Sequence, residues 1–110
     1  PSDPRDAEIT DAFNTHQRGD KGLGPALGPD ATSHFEQLCE AYGYRIQTAR
    51  SPWRLGPSQA ALHSALLSGI ANAAHEAGAE GALLWGNARS AVISQSQAFI
   101  GHTDLLAIPI

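Results

Sequence analysis

Tyr42–Gly56, YGYRIQTARSPWRLG, and Ala98–Ile110, AFIGHTDLLAIPI, are the two stretches that decide the fold. In the first, Tyr44, Ile46 and Thr48 alternate with Arg45, Gln47 and Ala49, the period of a strand covered on one face and more exposed on the other. Pro52 has no N–H to offer a ladder, so the strand is expected to end there and SPWRLGP to be a turn. In the second, Leu105, Leu106, Ala107 and Ile108 follow one another without a polar break, which predicts a terminal strand buried on both faces.

Between these stretches the pattern is helical. Pro57 stands near a helix start with Ser58 as its cap, and Leu62, Leu66, Leu67, Ile70 and Ala74 mark an apolar face down to Gly78. A further helix is expected through Leu83, Leu84, Ala88, Ala91 and Val92, with Gly81 and Gly86 weakening its start. Upstream, Ile9, Ala12, Phe13 and His16 fall at helical spacing, with Asp6 placed at the positive end. Gly19, Gly22, Gly24, Pro25, Gly28 and Pro29 then make a long loop, a length that is usually functional or disordered. A second helix is expected from near Asp30, Thr32 or Ser33. Ser33 and Glu36 have capping-box spacing, Phe35, Leu38, Cys39 and Tyr42 form the buried stripe, and Gly43 makes the stop.

Composition narrows the classes. A chain of 110 residues is one small domain at most, and two strands rarely close a core alone. A net charge of -4 argues against a basic nucleic-acid face. The single Cys39 has no internal disulfide partner and reads as a small core residue in a reducing compartment. No apolar run approaches the ~20 residues that span a bilayer, and no signal-peptide pattern stands at Pro1, so a cytoplasmic protein is expected. A chain that begins at Pro1 inside a polar run, with no methionine, reads as the back portion of a larger protein.

Three words of the sequence, DAFNTHQRGDKGLGPALGPDA (Asp11–Ala31), YRIQTARSPWRLGPSQAAL (Tyr44–Leu62) and GHTDLLAIP (Gly101–Pro109), together resemble the C-terminal portion of bacterial class I S-adenosylmethionine-dependent methyltransferases. The resemblance covers almost the whole chain and implies an α/β fold. The chain would be the C-terminal part of a Rossmann-like seven-stranded sheet, ending in an antiparallel strand pair with covering helices and the last strand inserted between two neighbours. It further implies a missing N-terminal half of the same domain as a partner, S-adenosylmethionine as the parent protein's cofactor with none bound by this portion alone, and a methyl acceptor of unspecified class. No strand precedes Gly19–Gly24, so these glycines lack the context that aims amides at a cofactor.

The loop His16–Lys21 gathers an imidazole, a guanidinium, a carboxylate and an ammonium on a Gly-rich connection. By the resemblance it lies at the ligand edge of the sheet, which makes His16, Arg18, Asp20 and Lys21 candidate substrate-binding residues. The competing reading is a solvated turn with local ion pairs. Trp53 and Arg54 either line the same cleft or, as is usual for a Trp beside a proline, anchor packing. His102 and Asp104, two apart on a strand, share a face. Their spacing suits a pair of metal ligands without the further ligands a site needs, or a buried histidine tied to a carboxylate. His34, His63 and His75 read as helix-surface residues, and Ser90, Ser94 and Ser96 lack a nucleophile-elbow context. A different class of function stays open: a non-catalytic binding or dimerisation module using the Ala- and Leu-rich helix Pro57–Gly78.

Overall fold

In the computed structural model, which describes residues 2–110, the order is α1 (Asp6–Gln17), α2 (Ala31–Ala41), β1 (Tyr44–Arg50), β2 (Trp53–Leu55), α3 (Ala60–Glu76), α4 (Ala82–Ala91), β3 (Ala98–Ile100) and β4 (Thr103–Pro109). Short 3-10 turns at Gly28–Asp30, Pro57–Gln59 and Ile93–Gln95 join them.

The core lies where α1, α3 and α4 meet and consists of Ile9, Leu67, Ala71, Ala74, Ala79, Ala82 and Trp85. Asp6 fastens two of these helices: its carboxylate accepts the Asp3 backbone N–H at 3.0 Å and the Trp85 indole N–H at 2.8 Å. Four of the seven core residues are alanines, which lets the helix backbones approach closely. The closeness is visible at Gly86, where a Cβ would stand 2.8 Å from the Cβ of Ala71. This small-residue contact overturns the expected face of α4. Its buried side is Ala82, Trp85 and Gly86, while Leu83 and Leu84 face solvent. On α3 the inward residues are His63, Leu67, Ala71 and Ala74, so Leu62 and Leu66 are rotated away from the core centre. His63, expected at the surface, is buried because it sits one turn before Leu67 on the same side, and its Nδ1 has no hydrogen-bond partner.

The expected caps are replaced by neighbours. Ser33 donates its hydroxyl to the Asp30 carbonyl instead of closing a box with Glu36, and Gln59, not Ser58, serves the start of α3 by accepting the Gly56 N–H at 2.9 Å. Gly43 ends the α2 segment at φ 86°, a conformation that favours glycine.

The strands form two small antiparallel sheets, β1 with β4 and β2 with β3. Register shows them to be halves of one bent ribbon. Every pair from Tyr44 with Pro109 to Leu55 with Ala98 keeps the same offset, and Ser51 N–H donates to the His102 carbonyl across the bend at 2.8 Å. β1 therefore ends just before Pro52, as expected, but the pairing resumes beyond it in the same register, and Trp53–Leu55 is a strand where a turn was expected. The described residues are a mixed α/β arrangement with four helices and these two sheets. They do not form a seven-stranded Rossmann-like sheet.

Burial in the ribbon is slight. Ile46, Leu105 and Ala107 on one side of the ribbon and Ile108 on the other are half-buried, whereas Leu106, on the side of Ile108, is 55% exposed. The expectation of a terminal strand buried on both faces fails because α2 is the main cover of β1 and β4, while α3 meets the ribbon at β2, where Leu55 is buried. The α2 stripe is thin in turn: Phe35, Leu38 and Tyr42 are exposed and Cys39 is half-buried.

The molecule is correspondingly open. Its accessible surface is 7460 Å², against roughly 5,800 Å² for a compact monomer of this mass. The radius of gyration is 16.6 Å, against about 13 Å for a compact chain of this length. Among the described residues no helix is long and apolar enough to cross a membrane.

Candidate functional site

His16 occupies the last turn of α1, where helical spacing from Ile9 and Ala12 turns it toward α3. Its Nε2 lies 2.6 Å from a carboxylate oxygen of Glu76, the last residue of α3, while its Nδ1 is buried without a hydrogen-bond partner. The backbone carbonyl of His16 accepts a hydrogen bond from the Lys21 ammonium, which folds the loop back over the end of its own helix. Asp20 accepts the N–H groups of Gly22 and Gly24 at 2.8 and 3.0 Å. Those two donors hold its carboxyl below the ordinary carboxylate value. Arg18 pairs with Asp30 at 3.2 Å, an exposed contact worth roughly 0–1 kcal/mol. The Ala26 N–H, donating to the Arg18 carbonyl, closes the base of the loop.

This geometry explains what the loop presents. Arg18 and Asp20 are engaged within the loop. His16 and Lys21 stand at the junction of two recesses: one of about 250 Å³ that reaches Asp20 and Glu76, and an apolar groove of about 380 Å³ between α1 and α3. Phe13, Leu62, Leu66 and Ile70 line the groove, which is where the rotated leucines of α3 go. Such a site suits a ligand with an apolar body and a polar end.

Trp53 and Arg54 are placed elsewhere, on β2 at the bend of the ribbon. Neighbouring residues of a strand point to opposite faces, and their contacts follow that rule. The Trp53 ring stacks on His102 with centroids 6.1 Å apart and planes 25° apart. Arg54 lies over the ring of Phe99, its cross-strand partner, with 5.6 Å to the centroid. Their hydrogen-bond, ion-pair and ring contacts are thus with the ribbon and not with the His16–Lys21 loop.

The residue that sequence reasoning undervalued is His102. It was expected to be buried against Asp104, yet the two side chains are 47% and 66% exposed. Ser51 Oγ lies 2.7 Å from His102 Nδ1, and the Asp104 carboxylate lies 3.5 Å from the same nitrogen. A serine nucleophile system needs its hydroxyl and its carboxylate on opposite ring nitrogens, so this is not an acyl-transfer triad. Ser51 faces His102 only because the register continues through Pro52, and that continuation was the signal missed. Likewise Glu76 reaches His16 because the last turns of α1 and α3 meet, which spacing alone does not reveal.

Among the described residues no group of three or more His, Cys, Asp and Glu side chains is placed to hold a metal ion. In comparisons with known proteins, no family model, no curated protein and no solved structure matches this chain.

Proposed function

We propose that the chain is the C-terminal, acceptor-side part of a bacterial class I S-adenosylmethionine-dependent methyltransferase and is not catalytic in isolation. One observation carries this reading: the two segments that hold much of the resemblance are the two that pair, in one register, as the antiparallel strand pair at the end of the chain. The excess exposed surface and the unpaired outer edge of β4 are in keeping with a sheet that continues into a preceding half of the domain. That half would bring the cofactor site.

The one Gly-rich turn of this chain does not offer S-adenosylmethionine a cofactor turn. The Gly19–Gly24 turn follows a helix, and its Gly22 and Gly24 amides are already taken by Asp20. What the chain contributes is acceptor handling, with the His16–Lys21 loop and the α1/α3 groove aligning the acceptor and excluding water. The net charge of -4 favours an acceptor other than a nucleic acid held by this portion, and the unpaired Cys39 is in keeping with the cytoplasm.

The test is Arg18→Ala combined with Lys21→Ala in the protein extended through its upstream half. The acceptor KM should rise more than kcat falls; unchanged acceptor kinetics would overturn the reading. A second reading, a dimerisation module using α3, is favoured by one observation, the exposure of Leu62 along the same groove, beside the half-buried Leu66. Sedimentation as a monomer at all concentrations would remove it.

A further inference from the structure

The side-chain cluster at the ribbon bend has a definite chemistry. His102 Nδ1 faces two oxygens: the hydroxyl of Ser51 at 2.7 Å and a carboxylate oxygen of Asp104 at 3.5 Å. A carboxylate only accepts, so a bare lone pair on Nδ1 would confront the oxygen lone pairs of Asp104. A proton on Nδ1 is attracted to both oxygens. The Asp104 carboxylate therefore favours the Nδ1–H tautomer, which leaves the lone pair on Nε2. The ring is held in rotation as well, since Trp53 stacks on it. Among the described residues Nε2 has no protein hydrogen-bond partner, and the side chain is 47% exposed. Beside it Trp53 is itself 46% exposed, leaving aromatic surface for a second ring.

We propose that His102 is the proton-accepting contact for a planar ring carrying an ionisable N–H or O–H, with Ser51 and Asp104 as positioning residues and Trp53 as the stacking wall. The ring stacks on the indole and directs its acidic hydrogen at Nε2. When the proton moves, it leaves the ring nitrogen or oxygen with its bonding electron pair and joins Nε2. The products are a ring anion and an imidazolium whose charge faces the Asp104 carboxylate. A trough of about 550 Å³ on the ribbon, bordered by Asp104, Ala49 and Gln47, gives room beyond the ring for a substituent. This inference rests on the ribbon geometry and holds whether or not the chain belongs to a methyltransferase.

The test uses the 110-residue chain with 4-nitrophenol as probe, whose anion is read by its visible absorbance, together with nitrogen-15 NMR of the imidazoles. The resting His102 should show the Nδ1–H tautomer, and 4-nitrophenol should shift the His102 and Trp53 resonances as the phenolate band grows. His102→Gln and Trp53→Ala should abolish the band increase, while His75→Gln, which removes another exposed imidazole, should leave it. Asp104→Asn should lower affinity roughly two- to fivefold, the range of an exposed ion pair, and shift the tautomer balance toward Nε2–H. The α3 resonances report whether each variant keeps its fold. A growing phenolate band in His102→Gln, no probe response in the folded wild-type chain, or a resting Nε2–H tautomer unmoved by Asp104→Asn would each overturn the proposal.

Discussion

The helical packing of α1, α3 and α4 and the arm built from α2, β1 and β4 are held by different forces. In the first, burial dominates: Ile9, Ala74 and Ala82 are at most 1% exposed, and the helices close onto one another through alanines and Gly86. In the second, seven consecutive residue pairs form a regular ladder, yet no residue of α2, β1 or β4 is fully buried. Hydrogen bonds within a chain contribute only about 0.5–1.5 kcal/mol each net of those lost to water, so a ladder without burial is a weak source of stability. The lesson is that regular secondary structure and a stable core have separated in this molecule.

The strongest way to break that comparison is to remove a large side chain from each region. Trp85→Ala should cost about 3–5 kcal/mol in chemical denaturation, and it also strands the Asp6 oxygen that the indole serves. Phe35→Ala, on a half-exposed α2 face, should cost less than about 1 kcal/mol. Equal losses would mean that the arm has a core of its own. A smaller effect sharpens the close approach: Gly86→Ala adds a methyl 2.8 Å from Ala71. Overpacking of that kind costs about 1–3 kcal/mol, partly offset by about 1 kcal/mol of helix propensity. Net stabilisation would show that α3 and α4 separate easily.

These regions also differ in how much the sequence disclosed. The two strand segments, the Gly-rich loop and the four helices are legible from period and from the Gly and Pro residues. The inward face of α3 is legible in part, since Leu67, Ile70 and Ala74 do face the core, but that of α4 is not, because hydrophobicity points to Leu83 and Leu84 while the packing selects small residues that let backbones meet. Pro52 reads locally as a stop and β1 does end there, yet the pairing resumes beyond it in the same register. For the candidate site, His16 and Lys21 were legible as a loop cluster and do meet. Ser51 with His102 depended on a cross-strand pairing that no local pattern specifies.

Hydrogen exchange tests the comparison at the level of local opening. Leu67 and Ala71 in α3 should exchange only through unfolding of the whole helical core, whereas Gln47 and Leu106, paired across the ribbon, should exchange through a cheaper opening of the arm. Matching protection in both would mean that they unfold as one unit.

The smallest expected effect concerns acid, and it falls outside the arm. Asp3 receives the backbone N–H, Nε and Nη2 of Arg5, and these bonds bring its pKa from 3.8 to about 2. A carboxyl with a depressed folded-state pKa binds protons less readily folded than unfolded. Its stabilisation is therefore complete above the ordinary value and is lost as pH falls from about 4 toward 2. Asp20 acts with the same sign through the Gly22 and Gly24 amides. Asp20 is exposed and Asp3 sits at the surface in a part-buried pair, so the loss should be a shallow slope of melting temperature with pH. Asp3→Asn should flatten that slope without changing the exchange rates of β1 and β4, since Asp3 and Arg5 flank the helical core and not the ribbon. A variant that altered ribbon exchange as strongly as core stability would show that the two regions are coupled after all.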